Sequence, residues 1–426
     1  MPEPRGPLPR HLLPRTASVD AAGRLSVGGV DLCDLADEHG TPLFVYDEAH
    51  LRERCREAVA AFGEGASYAS KAFLCRAMAA LVAEEGMGID VATGGELHVA
   101  LAGGTDPARI VLHGNNKSSA ELAAAIDARV GRIVVDSHDE LDPLEALVAG
   151  GSAVPRVLLR VTPGVEAHTH VYVQTGQDDS KFGFTLSTGA AAAAVARAQA
   201  SPAVDLLGVH AHIGSNVFAL SSFALAVEAL AAFVVPLGLP ELSLGGGLGV
   251  AYVADEETPS IAAWAGVLHR ACAAAGITAR IAVEPGRAIV ASAAVTLYTV
   301  GTIKTVEGVR TFVAVDGGMS DNPRPVLYGS GYETFLPRDA GADRPFVAHV
   351  VGKHCESGDL IVRDAALPAD VAIGDVLATP VTGAYGHSMA SNYNKVTRPA
   401  VVFVADGEAR VVVRRETLDD LLRLDT

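Results

Sequence analysis

Eight short apolar runs recur along the first two thirds of the chain. They are SYAS (67–70), IDVA (89–92), IVLH (110–113), IVVD (133–136), VLLRV (157–161), LLGVHAH (206–212), ELSLGGG (241–247) and IAVEPG (281–286). Most are apolar at consecutive positions rather than alternating, the pattern of parallel strands covered on both faces. Between them lie Ala- and Leu-rich stretches with apolar residues at helical spacing. Examples are AFLCRAMAALVAEEG after the first run, SSFALAVEALAAFVV after the sixth, and the Ala-rich patch at 190–200. Eight strand–helix units in succession predict an α/β fold, a (β/α)8 TIM-type barrel over 43–290.

The last third reads differently. Residues 294–304, 311–316, 346–353, 376–382, 400–405 and 409–415 look like strands with no long helices between them, and Asp406-Gly407 marks a hairpin turn. They predict a C-terminal all-β domain over 291–426. Residues 1–42 form a leader with strand-like material near Gly23 to Gly29, expected to pack on that β-domain. LFVYD (43–47) is a further candidate strand for it.

Composition narrows the function classes. Hydrophobic residues make up 49% of 426, ample for a large core, and a net charge of −17 disfavours a nucleic-acid partner. No apolar run reads as a bilayer span, and the Pro- and Arg-rich start lacks the apolar stretch of a signal peptide, so no membrane partner and a cytoplasmic location are expected. The five cysteines, Cys33, Cys55, Cys75, Cys272 and Cys355, are scattered and form no CxxC pair. A disulfide framework and a metal site are therefore not expected.

In a (β/α)8 barrel the chemistry lies at the C-terminal ends of the strands. Polar residues gather there. The first run ends in Ser70-Lys71, and the second carries Asp90. The third ends in His113-Gly-Asn-Asn-Lys117. The sixth carries His210 and His212, then Ser215. The seventh ends in Gly245-Gly246-Gly247, and the eighth in Glu284-Pro-Gly286-Arg287. Each has an ordinary reading as surface lysine, core histidine, tight turn or ion pair. Their conjunction points to a phosphorylated cofactor whose carbonyl a lysine traps. Pyridoxal 5'-phosphate fits: Lys71 would form the imine, and Ser215, the glycines and Arg287 would hold the phosphate. Glu284 would keep the pyridine nitrogen protonated, and His212 would stack on the ring.

KHCESGDL (353–360) adds a thiol beside a carboxylate in a polar loop. An isolated cysteine is usually a small core filler; between His354 and Glu356, Cys355 reads as a reactive thiol. Asp359 reads as structural, turning the loop after Gly358.

The set YASKAF, HGNNKS, HAHIGS, GGGLG, EPGR, GMSDNPRPVLY, KHCESGD and GAY resembles the diaminopimelate decarboxylase family of fold-type III pyridoxal-phosphate decarboxylases, from about Leu43 to the C-terminus. The wider group shares its barrel with alanine racemase. The resemblance implies a two-domain, head-to-tail homodimer with shared active sites and a small amino-acid substrate. It implies Lys71 as the cofactor lysine, His212 on the ring and Glu284 at its nitrogen. Ser215, Gly245, Gly246, Gly247, Gly286, Arg287 and Tyr385 would surround the cofactor phosphate. Cys355 and Glu356 would come from the partner subunit, with Cys355 as proton donor, its thiol having a reference pKa of roughly 8.5. Arg287, Arg324, Tyr328, Glu356 and Tyr385 would contact the substrate, meso-diaminopimelate, which the family decarboxylates at its D-centre to L-lysine.

Phe73 is a departure, standing where many members carry Asn. A sister decarboxylase would be expected to lose Arg324, Tyr328 or Glu356, a racemase has no use for the CESGD loop, and a cofactor-free homologue would lose Lys71, Glu284 or Cys355. All are retained.

Overall fold

The computed structural model describes residues 5–164 and 180–426; the first four residues of the leader lie outside this range. The described chain forms two compact units.

The first unit comprises Arg54–Val250 and Thr258–Ala288. All eight predicted strands form, at Ser67–Ala69, Gly88–Val91, Ile110–Leu112, Arg132–Val135, Arg156–Thr162, Asp205–His210, Glu241–Ser243 and Arg280–Ala282. They are parallel neighbours in chain order. A parallel bridge from Ala66 to Val283, with Ser67 N–H donating to the Val283 carbonyl at 2.9 Å, brings the first strand back to the last. Val111, Val134 and Leu158 pack together as one core cluster. Strand ends are short because polar turn chemistry takes over at once. Ser118, for example, caps the helix Ser119–Ala128 through a reciprocal pair with Glu121.

The helix Leu220–Leu237 corrects the expectation about apolar runs: its 18 residues are long and apolar enough, by length and composition, to cross a bilayer. In the barrel it buries Phe223, Val227, Leu230 and Val234, and Phe223 meets the buried Trp264 of Ile261–Ala274 edge-on at 5.6 Å. An outer barrel helix can be this apolar because one face rests on the sheet and another on its neighbour helix.

The second unit comprises Met1–Glu53, Ala251–Glu257 and Ile289–Thr426. Its main sheet runs Leu360–Leu367, Phe346–Val351, Arg310–Val315, Ala294–Val306, Leu43–Asp47, Ala400–Ala405, Glu408–Val413, with Val376–Pro380 also on Ala294–Val306. LFVYD is thus a fully buried strand of the β-sheet, and the compact barrel unit starts after it. Asp406 and Gly407 take φ of 53° and 82° in the hairpin turn. The leader strands form their own three-stranded sheet, and Gly28 accepts a backbone hydrogen bond from Gly407. The strand Leu360–Leu367 escapes the sequence pattern. Arg363 and Asp364 lie exposed in its middle, and Asp364 has φ of 49° where the register shifts.

Candidate active site

The barrel unit gathers its polar residues at the C-terminal strand ends. Lys71 follows the first strand, exposed on the single turn Ser70–Ala72 whose other two residues are buried. Phe73, two positions on, is fully buried, and its carbonyl accepts from the Tyr68 hydroxyl at 2.7 Å, so the departure from the family pattern is absorbed by the core.

Glu284 is the electrostatic centre. One carboxylate oxygen accepts from the Ser243 hydroxyl at 2.9 Å and lies 3.3 Å from His113 Nε2; the other is 2.9 Å from His210 Nε2. Burial alone would raise its pKa, yet His210 and His113 hold it well below the usual carboxylate range. His113 is the cationic partner: burial opposes its charge, but Asp90, 3.6 Å away, and Glu284 raise its pKa. Burial drives His210 down to about 4, so it stays neutral. Burial also pushes Asp90 up to about 6. One ligand atom each from His113, His210 and Glu284 lies within 4.8 Å of the others, a spacing open to a metal ion.

His212 is neutral too, lowered by burial and then by the Lys71 charge. Its Nδ1 accepts from Gly246 N–H at 3.3 Å, which leaves the proton on Nε2. Gly245 and Gly247 have φ of 65° and 107°; a Cβ on Gly247 would sit 2.3 Å from the Gly214 carbonyl oxygen. Arg287 donates to Ser215 Oγ at 2.9 Å. Gly286 lies against Ala69, with no room for a Cβ. The barrel unit therefore brings the predicted cofactor residues Lys71, His212, Ser215, Gly245, Gly246, Gly247, Glu284, Gly286 and Arg287 to one end of the strands. A reachable lysine, a glycine turn with an arginine–serine pair, a neutral imidazole and a buried anionic carboxylate fit a phosphorylated pyridine aldehyde.

The second unit holds the remaining predicted residues. Arg324, 4% exposed, opens the short helix Arg324–Tyr328. Its guanidinium donates to the Tyr332 hydroxyl at 2.5 Å and stacks 4.0 Å from the Tyr252 ring centre. Burial works against its charge, and Tyr252, Tyr332 and Tyr385 more than offset it, raising its pKa. Tyr328 is half-buried at the helix end, and Tyr385 has a left-handed φ of 60°.

In the KHCESGD loop Cys355 and Glu356 are exposed, while the other cysteines are buried or half-buried. Cys355 N–H donates to Asn394 Oδ1 at 3.2 Å, and the Glu356 carboxylate accepts from the Tyr393 hydroxyl at 3.5 Å. Asp359 is structural, as expected: its carboxylate accepts from the Met319 and His354 N–H groups at 2.7 and 2.9 Å.

Sequence reasoning missed Ser243, Tyr252, Tyr332 and Asn394. It flagged His113 and Asp90 without a definite role and left Lys117 unexplained. Lys117 Nζ is buried between Glu140 and the carbonyls of Gly114 and Val134. Only strand position signals Ser243, and no local pattern announces Tyr252 as a partner of Arg324.

Residues 48–291 match the family model of the pyridoxal-dependent decarboxylases, pyridoxal binding domain. The chain is 48% identical over 436 residues to diaminopimelate decarboxylase of Mycobacterium tuberculosis strain H37Rv, covering 97% of this chain and 98% of the relative. It is 46% identical to that of Bacillus subtilis over 430 residues, with 96% and 97% covered. Its fold matches the diaminopimelate decarboxylase of M. jannaschii in co-complex with L-lysine, with a TM-score of 0.90, 32% identity, and 97% and 98% of the chains covered. With the site geometry and these matches together, the chain belongs to the diaminopimelate decarboxylase family of pyridoxal-dependent decarboxylases.

Proposed function

We propose that the chain removes, as CO2, the carboxylate at the D-centre of meso-2,6-diaminopimelate and releases L-lysine, the last step of lysine biosynthesis. The observation that carries the substrate is Arg324. It is a buried, doubly braced guanidinium with no carboxylate within 4 Å among the described residues. Such a cation suits a substrate carboxylate. Only a substrate with a second amino-acid end has a carboxylate to spare for it after the first is lost. Tyr328, Tyr385 and Arg287 would add donors, and Glu356 would receive the distal ammonium.

Lys71 would hold the cofactor covalently, with its phosphate at Ser215, Gly245–Gly247, Gly286, Arg287 and Tyr385. When bound, pyridoxal phosphate supplies an electron sink for the pair left by departing CO2. Glu284, anionic though buried, would hold the proton on the ring nitrogen. Neutral His212 would cover one ring face without adding charge. Cys355 would deliver the proton to the α-carbon that CO2 has left, its thiolate recovering a proton from solvent. We place the chain in a cytoplasmic homodimer, with this exposed loop reaching the active site of the partner subunit.

The test is CO2 and L-lysine release from meso-diaminopimelate with added pyridoxal phosphate, with L-lysine, ornithine and arginine run alongside. Equal amounts of both products from meso-diaminopimelate alone are expected. Retained cofactor absorbance with no release would leave the cofactor site standing and refute the substrate reading. Cys355→Ala should keep that absorbance and lose turnover; normal turnover would remove Cys355 from the reaction.

A further inference from the structure

The other end of the barrel carries a second set of charges, at the N-terminal strand ends. Arg109 stands just before the third strand, Arg132 opens the fourth, Arg156 the fifth and Arg280 the eighth. All four line one cavity of about 200 Å3. Two are committed to the buried Glu241: Arg132 Nε lies 2.7 Å from its carboxylate, and Arg280 also pairs with it. The other two are not. Arg109 donates to the Gly86 carbonyl at 2.8 Å, and neither it nor Arg156 has a carboxylate within 4 Å among the described residues. Asp205 shares the register of Arg156 without forming an ion pair. The remaining carboxylate at this mouth, Glu64, faces solvent.

Four guanidinium groups thus line this cavity with three carboxylates, Glu64, Glu241 and Glu284, on a chain of net charge −17. Like charges around a cavity favour an anion between them. Guanidinium forks match the paired oxygens of phosphate or carboxylate. The volume sets the size. It falls below the roughly 300 Å3 at which pockets for drug-sized ligands begin, and it holds several waters at about 30 Å3 each. That admits a compact oxyanion. The inner wall reaches Ser243 and Glu284; the Glu284 carboxylate there already accepts from the Ser243 hydroxyl and lies 2.9 Å from His210 Nε2.

We propose that the N-terminal mouth of the barrel binds a small oxyanion between Arg109 and Arg156, at the opposite strand ends from Lys71 and the Gly245–Gly247 turn. Inorganic phosphate and a short dicarboxylate share the chemistry required.

The test is calorimetric titration of the cofactor-loaded enzyme with inorganic phosphate and, separately, succinate, at constant ionic strength set with sodium chloride. The comparison protein is the double variant Arg109→Gln/Arg156→Gln. It touches no carboxylate pair and no residue assigned to the reaction. The expected result is one saturable site per chain for at least one probe, weakened about tenfold or more in the variant, while turnover and melting temperature stay at the parent values. The tighter probe identifies the source. Absence of saturable binding by both probes, or equal affinity in parent and variant, would overturn the proposal.

Discussion

Lys117→Met tests the buried ion pair beneath the third strand's loop. The Lys117 side chain is 2% exposed; its Nζ lies 2.5 Å from Glu140 and 2.7 Å from each of the Gly114 and Val134 carbonyls. The second Glu140 oxygen accepts from Asp136 N–H at 2.7 Å. Burial pushes the lysine pKa down and the glutamate pKa up, so each charge depends on the other. Removing one partner of such a pair costs about 3–5 kcal/mol, because the survivor is stranded. For a unit of 150–250 residues each kcal/mol is worth about 2–4 °C, which gives a fall of roughly 10 °C in melting temperature. The double variant Lys117→Met/Glu140→Gln removes the stranded charge and keeps an acceptor for Asp136. It should recover more than half of the loss. The assay is thermal unfolding of the cofactor-loaded enzyme by circular dichroism at pH 7.5. A single variant within about 2 °C of the parent, or a double variant no better than the single, would refute the reasoning.

Three further outcomes are expected. Tyr252→Leu removes the ring face 4.0 Å from Arg324. A desolvated cation–π contact is worth about 1–2 kcal/mol, so KM for meso-diaminopimelate should rise about 5- to 30-fold with kcat kept; a change below twofold would count against Arg324 as the carboxylate anchor. Gly247→Ala forces a Cβ to 2.3 Å from the Gly214 oxygen at φ of 107°, so pyridoxal-phosphate titration should show weaker cofactor binding, and unchanged affinity would exclude the cradle. Burial raises the Asp321 pKa to about 7, against an ordinary value of 3.8. The folded state then holds this proton more tightly than the unfolded one, so the group's contribution to stability falls as pH rises from about 4 to about 7 and is flat above. Asp321→Asn should remove that fall, seen as a smaller drop in melting temperature between pH 5 and pH 8 than in the parent. Identical drops would show that Asp321 does not titrate in this window.

The barrel was legible because its strands are apolar at nearly every position and its polar residues begin abruptly where each strand stops. Gly245 to Gly247 after Ser243, and Glu284 after Ala282, are visible in one dimension. The strand Leu360–Leu367 was not. Its exposed Arg363-Asp364 pair interrupts the period, and the chain tolerates this through a left-handed Asp364 that only the sheet register reveals. The helix Leu220–Leu237 misleads for the opposite reason: a surface shared between sheet and neighbour helix has the same composition as a membrane span. Tyr252 and Tyr332 were invisible as partners of Arg324, because ring stacking leaves no spacing signature.

A deeper limit concerns charge. The sequence names Glu284 as the carboxylate for a ring nitrogen, but a buried carboxylate left alone would take up a proton and fail in that role. Its ionised state depends on three residues from other strands. Ser243 donates to one oxygen, and His210 Nε2 lies within hydrogen-bond distance of the other. His113 adds the compensating positive charge, kept by Asp90, which lies 3.6 Å from the same ring nitrogen. Asp90 in turn sits at about 6, low enough to remain mostly ionised at neutral pH and so sustain His113. Replacing Asp90 by Asn would act on Glu284 in two opposed ways, directly by removing a like charge and through the weakened charge on His113. The change in protonation passes along a chain of side chains, while every residue assigned to hold the cofactor keeps its identity. The third strand's HGNNK motif acquires a physical meaning at that point. His113 supplies the charge that makes Glu284 useful, and Lys117, bolted to the fourth strand and the helix after it, anchors the loop that carries His113.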